Sequence, residues 1–319
     1  PKDSIYELTT SVAAVGRGID FTSYRTTASL KASLQSLHYG RYQISGIEVT
    51  GDVKNALATA RLVSDNRLLK MNANAEYHLA KPYMDGKLDM DVTQLDLYEL
   101  GIAPKPLKYP LAFNFTAEAR IFTHLTAGDM KLNLSARSSL DKLIKQSAHF
   151  ADVLVKQIDK KELDHGELRE ALPTAIFSMS AGKENPLAYY LATKDIAFHD
   201  VGVKFGTAPD WGINGKASIH ALKMDTLQLD TIYFTVKQDT TRMSLHGGVI
   251  NGPKNPQIVF KSSFAGEIRN DDAELTLRYE NAKGETGVLF GVNVRPLVEG
   301  NGKGDGLAFT LIPENPIIA

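Results

Sequence analysis

The chain has 319 residues, 43% hydrophobic and 23% charged, with a net charge of −1, which describes a folded protein and excludes a disordered one. Near-zero charge without a basic cluster removes the electrostatic case for nucleic acid or for an anionic membrane surface. The absence of cysteine excludes disulfides, thiol catalysis, Cys-ligated zinc and iron–sulfur clusters. No apolar run reaches the roughly 18 residues of a spanning helix, and both Pro1-Lys2-Asp3 and the strand-like Leu311 to Ala319 read as ends cut from a longer chain.

From the first third onward the dominant signal is period-two alternation, the mark of a half-buried strand. Leu69, Met71, Ala73, Ala75 and Tyr77 alternate with Lys70, Asn72, Asn74 and Glu76. Met84, Leu88, Met90 and Val92 alternate with Asp85, Lys87, Asp89 and Asp91. Leu111, Phe113, Phe115 and Ile121 follow, then Met130, Leu132 and Leu134, each set opposed by polar residues. The pattern returns over 213–221 (Ile213, Ile219), 243–249 (Met243, Leu245) and 273–279 (Leu275, Leu277). Asp65-Asn66, Lys81-Pro82, Gly128-Asp129, Asn251-Gly252-Pro253, Asn270-Asp271-Asp272 and the glycine-rich 300–306 punctuate these runs as hairpin turns. Strand following strand predicts an antiparallel meander.

One segment breaks the pattern. Over 138–160 the apolar residues Leu140, Leu143, Ile144, Ala151, Leu154, Val155 and Ile158 form a helical stripe, with Ser139 as N-cap. A shorter helix is expected over 163–172, ended by Pro173, and another from Asn185-Pro186 to Leu191. Asp96 to Gly101 reads as a single helical turn closed by glycine. The expected organisation is a first β segment over 1–137, a helical insert over 138–172 and a second β segment over 173–319.

More than a dozen strands with one apolar face need cover, and the chain offers one substantial helix. Two sheets close as a sandwich, or a long sheet curls and faces itself across a groove. The favoured fold class is mainly β: a long antiparallel meander sheet curled into an elongated groove, β-taco or open-barrel-like, with one helical insert. Its candidate lining is the apolar set of 69–134 named above (Leu69, Met71, Tyr77, Met84, Leu88, Met90, Leu111, Phe113, Phe115, Ile121, Met130, Leu132, Leu134) with Ile213, Ile219, Met243, Leu245, Leu275 and Leu277. Leu140, Leu143, Ile144, Leu154 and Ile158 are expected to lay the helix over that groove.

Motifs that carry catalytic chemistry are scarce in the sequence. The eight histidines show no metal-ligand spacing. His199-Asp200 would point to opposite faces of a strand, which argues against a relay. Gly212 to Ala217 lacks phosphate-loop spacing, and Gly300 to Leu307 has a lysine where a calcium-binding β-roll wants glycine. Asp85, Asp89 and Asp91 read as a solvated strand face, and a lone Trp211 offers no sugar-binding platform. The expectation is a protein that is not an enzyme and takes no cofactor.

Recurrent strand-and-turn phrases carry a family resemblance. They are Asp52-Val53-Lys54-Asn55 leading to Leu95-Asp96-Leu97-Tyr98-Glu99-Leu100-Gly101-Ile102, with its "D-L-x-x-L-G" ending; Leu172-Pro173 and Gly182-Lys183-Glu184-Asn185-Pro186-Leu187; and Leu229 to Asp239 with Val249-Ile250-Asn251. The arrangement resembles the AsmA-like/TamB family, bridge-like lipid transfer proteins of the double-membraned bacterial envelope that include the inner-membrane component of the translocation and assembly module. The resemblance implies a fragment of a periplasmic protein, anchored in the inner membrane outside this chain. It implies conduction of phospholipid or other acyl chains toward the outer membrane, support for outer-membrane protein assembly, and an outer-membrane β-barrel partner bound through regions beyond this chain. Neither the anchor nor a partner-binding domain is recognisable here, and the helical insert does not match the general groove pattern. The competing readings are a closed β-sandwich or solenoid serving as scaffold or adhesin without lipid, and a polysaccharide-active β enzyme.

Overall fold

A computed structural model describes residues 5–39, 42–95, 111–118, 120–161, 163–299 and 302–311. It is mainly β, 62% strand and 13% helix. Ten strands come first: β1 (Ile5–Arg17), β2 (Thr27–Tyr39), β3 (Tyr42–Ile44), β4 (Ile47–Lys54), β5 (Leu57–Asp65), β6 (Leu69–His78), β7 (Gly86–Leu95), β8 (Leu111–Ala117), β9 (Ile121–Ala127) and β10 (Met130–Ala136). Helices α1 (Leu140–Asp159) and α2 (His165–Ala171), strand β11 (Ala175–Ala181), helix α3 (Pro186–Ala192) and strand β12 (Ile196–Ala197) follow. The chain then runs through β13 (Asp200–Ala208), β14 (Gly212–Met224), β15 (Leu227–Gln238), β16 (Arg242–Asn251), β17 (Phe260–Arg269), β18 (Ala273–Glu280), β19 (Thr286–Glu299) and β20 (Gly302–Leu311). The helical turn expected at 96–101 lies outside the described residues.

The chain divides into two compact units. The first holds residues 1–141 with 184–193, and the second 142–183 with 194–319. In the first, β1 pairs with β2, β2 with β3 and β4, and each strand from β4 to β10 with the next, all antiparallel. In the second, β11 pairs with β13, β12 with β14, and β13 to β20 run as a continuous antiparallel meander. The sheet of each unit is an antiparallel meander, not a closed barrel.

Turn chemistry sets the registers locally. The side chain of Asn66 closes the β5–β6 turn: Oδ1 accepts from Leu68 N at 3.0 Å and Leu69 N at 2.9 Å, while Nδ2 donates to Ser45 O and to Ser64 Oγ, both at 2.9 Å. Asn55 and Ala56, at φ 55° and 57°, make the two-residue β4–β5 hairpin, the backbone a type I′ turn requires. In the second unit, Asn251 Oδ1 accepts from Asp230 N at 2.9 Å, and Asp230 Oδ2 accepts from Gly252 N at 2.7 Å. Asn255 Nδ2 adds a bond to Asp230 Oδ1 at 2.9 Å. Each turn amide therefore replaces ladder bonds that the chain reversal interrupts.

The helices follow their caps. Asn185 Oδ1 accepts from Ala188 N at 2.9 Å with Pro186 in the first turn of α3, as the sequence predicts, and Asn185 Nδ2 donates to Asp129 Oδ1 at 2.7 Å. Asp164 caps α2 by accepting from Gly166 N and Glu167 N. Lys161, at φ 55°, ends α1 in the left-handed conformation. The packed face of α1 is Phe150, Val153 and Leu154, joined by Leu163, Leu168 and Ala171.

The stripe expected to lie over a groove is therefore divided. Leu143 and Leu154 are half-buried, whereas Ile144 and Ile158 are 59% and 57% exposed. The helix spends its best-buried positions on α2, because a short neighbour in sequence covers a narrow strip at little loop-closure cost. Of its remaining apolar side chains, Ile158 stands with Leu163, Ile268, Ala273 and Val294 around a depression, while Ile144 and Val155 stay exposed.

Candidate functional site

The candidate site is the apolar face of each meander. Directly opposed residues of an antiparallel ladder share a face, so the registers show which side chains form continuous rows. In the first unit, Val12, Ala32, Val49, Leu62, Ala73, Met90, Phe113, Leu125 and Leu132 are opposed in turn across nine strands. The adjacent row runs Ala14, Leu30, Gly51, Ala60, Ala75, Leu88, Phe115, Thr123 and Leu134. The other face carries Lys31, Thr50, Arg61, Asn74, Asp89, Asn114, His124 and Asn133 in register. Alternation read strand by strand thus becomes a single floor.

The second unit repeats the plan. Phe177, Phe205, Gly215, Val236, Leu245, Gly266, Leu275, Val292 and Leu311 form one row. Met179, Val203, Ala217, Phe234, Gly247, Phe264, Leu277 and Phe290 form the next. Here rings lie over glycines. A Cβ on Gly215 would fall 2.2 Å from Phe205 Cδ1, and one on Gly247 would fall 2.6 Å from Phe264 Cε1. The absent side chain leaves each ring room to lie along the sheet instead of standing up from it.

The floors are not sealed. Leu69, Met71, Leu88, Met90, Phe113, Phe115, Met130, Leu132 and Leu134 are half-buried, as are Ile213, Ile219, Met243 and Leu245. Leu275 and Leu277 are 36% and 42% exposed, and Ile121 is fully buried. Exposure is high on β1, where Val12 reaches 65%, and on β20, where Phe309 reaches 68%, whereas Leu132 and Leu134 on β10 and Phe177 and Met179 on β11 stay half-buried. Tyr77 is exposed near the end of β6, and Leu111 opposes Val92 and Ala127 by register.

Three expectations from the sequence require correction. Met84 precedes β7 instead of lying in it, and its N–H donates to Asp141 Oδ2 at 3.4 Å. Asp85 is also ahead of the strand, and is buried between His78 Nδ1 at 2.7 Å and Lys81 Nζ at 3.6 Å; only Asp89 and Asp91 belong to the solvated face. His199 stands just outside β13, so strand alternation does not separate it from Asp200. Asp200 lies 2.9 Å from His199 Nδ1 and 2.7 Å from His220 Nδ1, and these bonds lower its carboxyl below the usual range.

Two residues that periodicity could not flag hold the helices to the second unit. His165 is fully buried, its Nε2 2.9 Å from Ile268 O and its Nδ1 3.3 Å from Gln238 Nε2. Burial pushes its pKa down, so the ring is neutral, donating to the carbonyl and accepting from the amide. Gln157, buried in α1, accepts from Asp164 N at 2.9 Å and donates to Glu167 Oε2 at 2.6 Å, which fixes the α1–α2 corner. Beside this corner, Ile158, Leu163, Ile268, Ala273 and Val294 line a cavity of about 260 Å³ rimmed by Lys161, Arg269, Arg295, Asp271 and Asp272.

Among the described residues no group of His, Asp and Glu could hold a metal ion, and no helix is long and apolar enough to cross a membrane. Comparison of the chain with protein-family models, curated proteins and solved structures finds no match.

Proposed function

We propose that this chain is a non-enzymatic, acyl-chain-conducting β-groove segment of a periplasmic, envelope-spanning protein that moves phospholipid toward the outer membrane. The observation that supports the reading is the in-register apolar floor of each unit, continuous across its strands and only half-buried. Sliding along such a floor needs no directional bond, so the scarcity of polar groups on it suits a lipid path. Each covered methylene contributes about 0.8 kcal/mol, enough to retain an acyl chain with several methylenes shielded. The polar opposite face keeps the sheet in water.

The alternative is a closed sandwich or solenoid without lipid. Its inner positions would be buried in the manner of a domain core, whereas Leu275, Leu277 and Phe290 remain 36%, 42% and 39% exposed. Gentle purification followed by native mass spectrometry tests the proposal. Co-purifying phospholipid is expected, and Ala75→Arg in the first floor and Ala217→Arg in the second should each reduce it several-fold, because a guanidinium among acyl chains is unpaired and desolvated. Lipid-free protein, or lipid retained unchanged by both variants, would sink the reading.

A further inference from the structure

On the second unit's outer face, away from the apolar floor, Lys204 of β13 and Lys216 of β14 stand directly opposite one another. Lys237 of β15 lies two residues beyond Thr235, which opposes Lys216. Like charges directly opposed on a sheet repel, and among the described residues no carboxylate pairs with any of the three. A net attraction for an external anion is what such an arrangement supplies.

Two aromatic rings flank the lysines. Trp211, the chain's only tryptophan, folds back from the β13–β14 turn over Gly206, where a Cβ would fall 2.6 Å from the indole. The turn is held in place: Asn214 Nδ2 donates to Trp211 O at 2.9 Å, and the Arg169 guanidinium donates to Pro209 O at 3.1 Å and to Asp210 O. On the other side, Tyr233 reaches across so that its hydroxyl lies 3.0 Å from where a Gly248 Cβ would be, and its ring is 5.3 Å from that of His246. Gly202 opposes Ser218, and Ser218 opposes Tyr233.

Two shallow depressions of about 420 Å³ each share Lys204, Lys216 and Thr235. Ile176, Gly206, Trp211, Asn214 and Lys237 also line one, with Phe205, Gly215 and Val236; Gly202, Ser218 and Tyr233 also line the other, with Met179, Val203, Ala217 and Phe234. From Gly206 to Gly202 along β13 is about 14 Å. The result is an aromatic–basic–aromatic strip.

We propose that this strip binds a linear anionic oligosaccharide, with sugar rings against Trp211 and Tyr233 and an acidic substituent at Lys204 and Lys216. Rings laid over glycine present their faces instead of their tips, which suits stacking and not insertion into a bilayer. Ser218, Thr235 and Asn214 suit a hydroxyl-rich ligand. Three lysines on a chain of net charge −1 suit an occasional acid, in contrast to the phosphate at every nucleotide of a single strand. The site is on the polar face and stands independently of the lipid reading.

Because Trp211 is the only tryptophan, intrinsic fluorescence reports directly on the strip. Titration of the whole chain with hexagalacturonate and with a heparin-derived hexasaccharide should give a saturable change for at least one, weakening as salt rises. Maltohexaose should bind at least about tenfold more weakly. The double variant Lys204→Gln/Lys216→Gln should lose about tenfold or more in affinity while its circular-dichroism spectrum stays unchanged, and Tyr233→Ala should weaken binding measured by calorimetry. The proposal is overturned if neither acidic hexasaccharide saturates, if the double variant binds like the parent, or if a hexathymidylate or phosphatidylglycerol vesicles bind more tightly through the same lysines.

Discussion

The two units build the same kind of apolar floor from different materials. In the first, the middle of the sheet is levelled with small side chains, Ala32, Ala58, Ala60, Ala73 and Ala75, and rings enter toward its β8 side at Phe113 and Phe115, whose centroids are 6.5 Å apart with planes 4° from parallel. In the second, the level is kept by removing neighbours, so that Phe205 lies on Gly215 and Phe264 on Gly247, the latter with Phe234 at 6.3 Å. A surface of small groups tolerates change at any one position. A surface of rings on glycines is interlocked, and an added methyl displaces a whole ring. The second unit also carries a helical corner pinned through one neutral histidine, and the first has no counterpart among its described residues.

The largest expected difference comes from that pin. His165→Ala removes a buried ring together with its bonds to Gln238 Nε2 and to the Ile268 carbonyl, a cost of about 3 kcal/mol. Hydrogen exchange should show α1, α2 and the β16–β17 end of the second unit losing protection while the first unit's strands keep theirs. Equal loss in both units would break the comparison.

The same residue gives the second unit a pH dependence. Its folded pKa lies below the unfolded value of about 6.5, so above that value both states are neutral and the contribution is fully present. As pH falls through about 6.5 the unfolded chain takes up the proton first, and the contribution is lost progressively down to the folded pKa. The bond to the Ile268 carbonyl and the charges of Asp239 and Asp164 moderate the shift. Thermal unfolding followed from pH 7.5 to about 5 should show a decline attached to His165 that His165→Ala lacks; parallel curves would remove His165 as its source.

A smaller and more direct contrast lies in paired glycine substitutions. Gly215→Ala should cost about 1–3 kcal/mol, since its methyl meets Phe205 at 2.2 Å. Gly51→Ala meets only Thr59 O at 3.6 Å, so it should be neutral or stabilising by up to about 1 kcal/mol. Unfolding midpoints in urea check both, and similar effects at the two positions would show that the floors are not differently packed. Within the first unit, Asn185→Ala should lower the urea midpoint, at a cost of about 1–2 kcal/mol, from a lost cap on α3 and the lost bond to Asp129.

Much of the floor was legible because alternation is local: each of Leu69, Met71, Leu88, Met90, Phe113 and Leu132 declares its face through its immediate neighbours. The α3 cap was legible for the same reason, since Asn185 and Ala188 are three residues apart. The helix stripe was only partly legible. Ile144 and Ile158 have the right spacing, but spacing does not say how much surface a partner provides.

The Lys204–Lys216 pair with Trp211 and Tyr233, the His199–Asp200–His220 cluster and the His165–Gln238–Ile268 pin were not legible. The last joins residues 73 and 103 positions apart. Period two determines which residues share a face of one strand, because it follows from backbone pleating alone. Which strand stands opposite, and in what register, is decided by long-range pairing and by turns that close or bulge. A lone tryptophan and three scattered lysines therefore become a strip only in the tertiary structure.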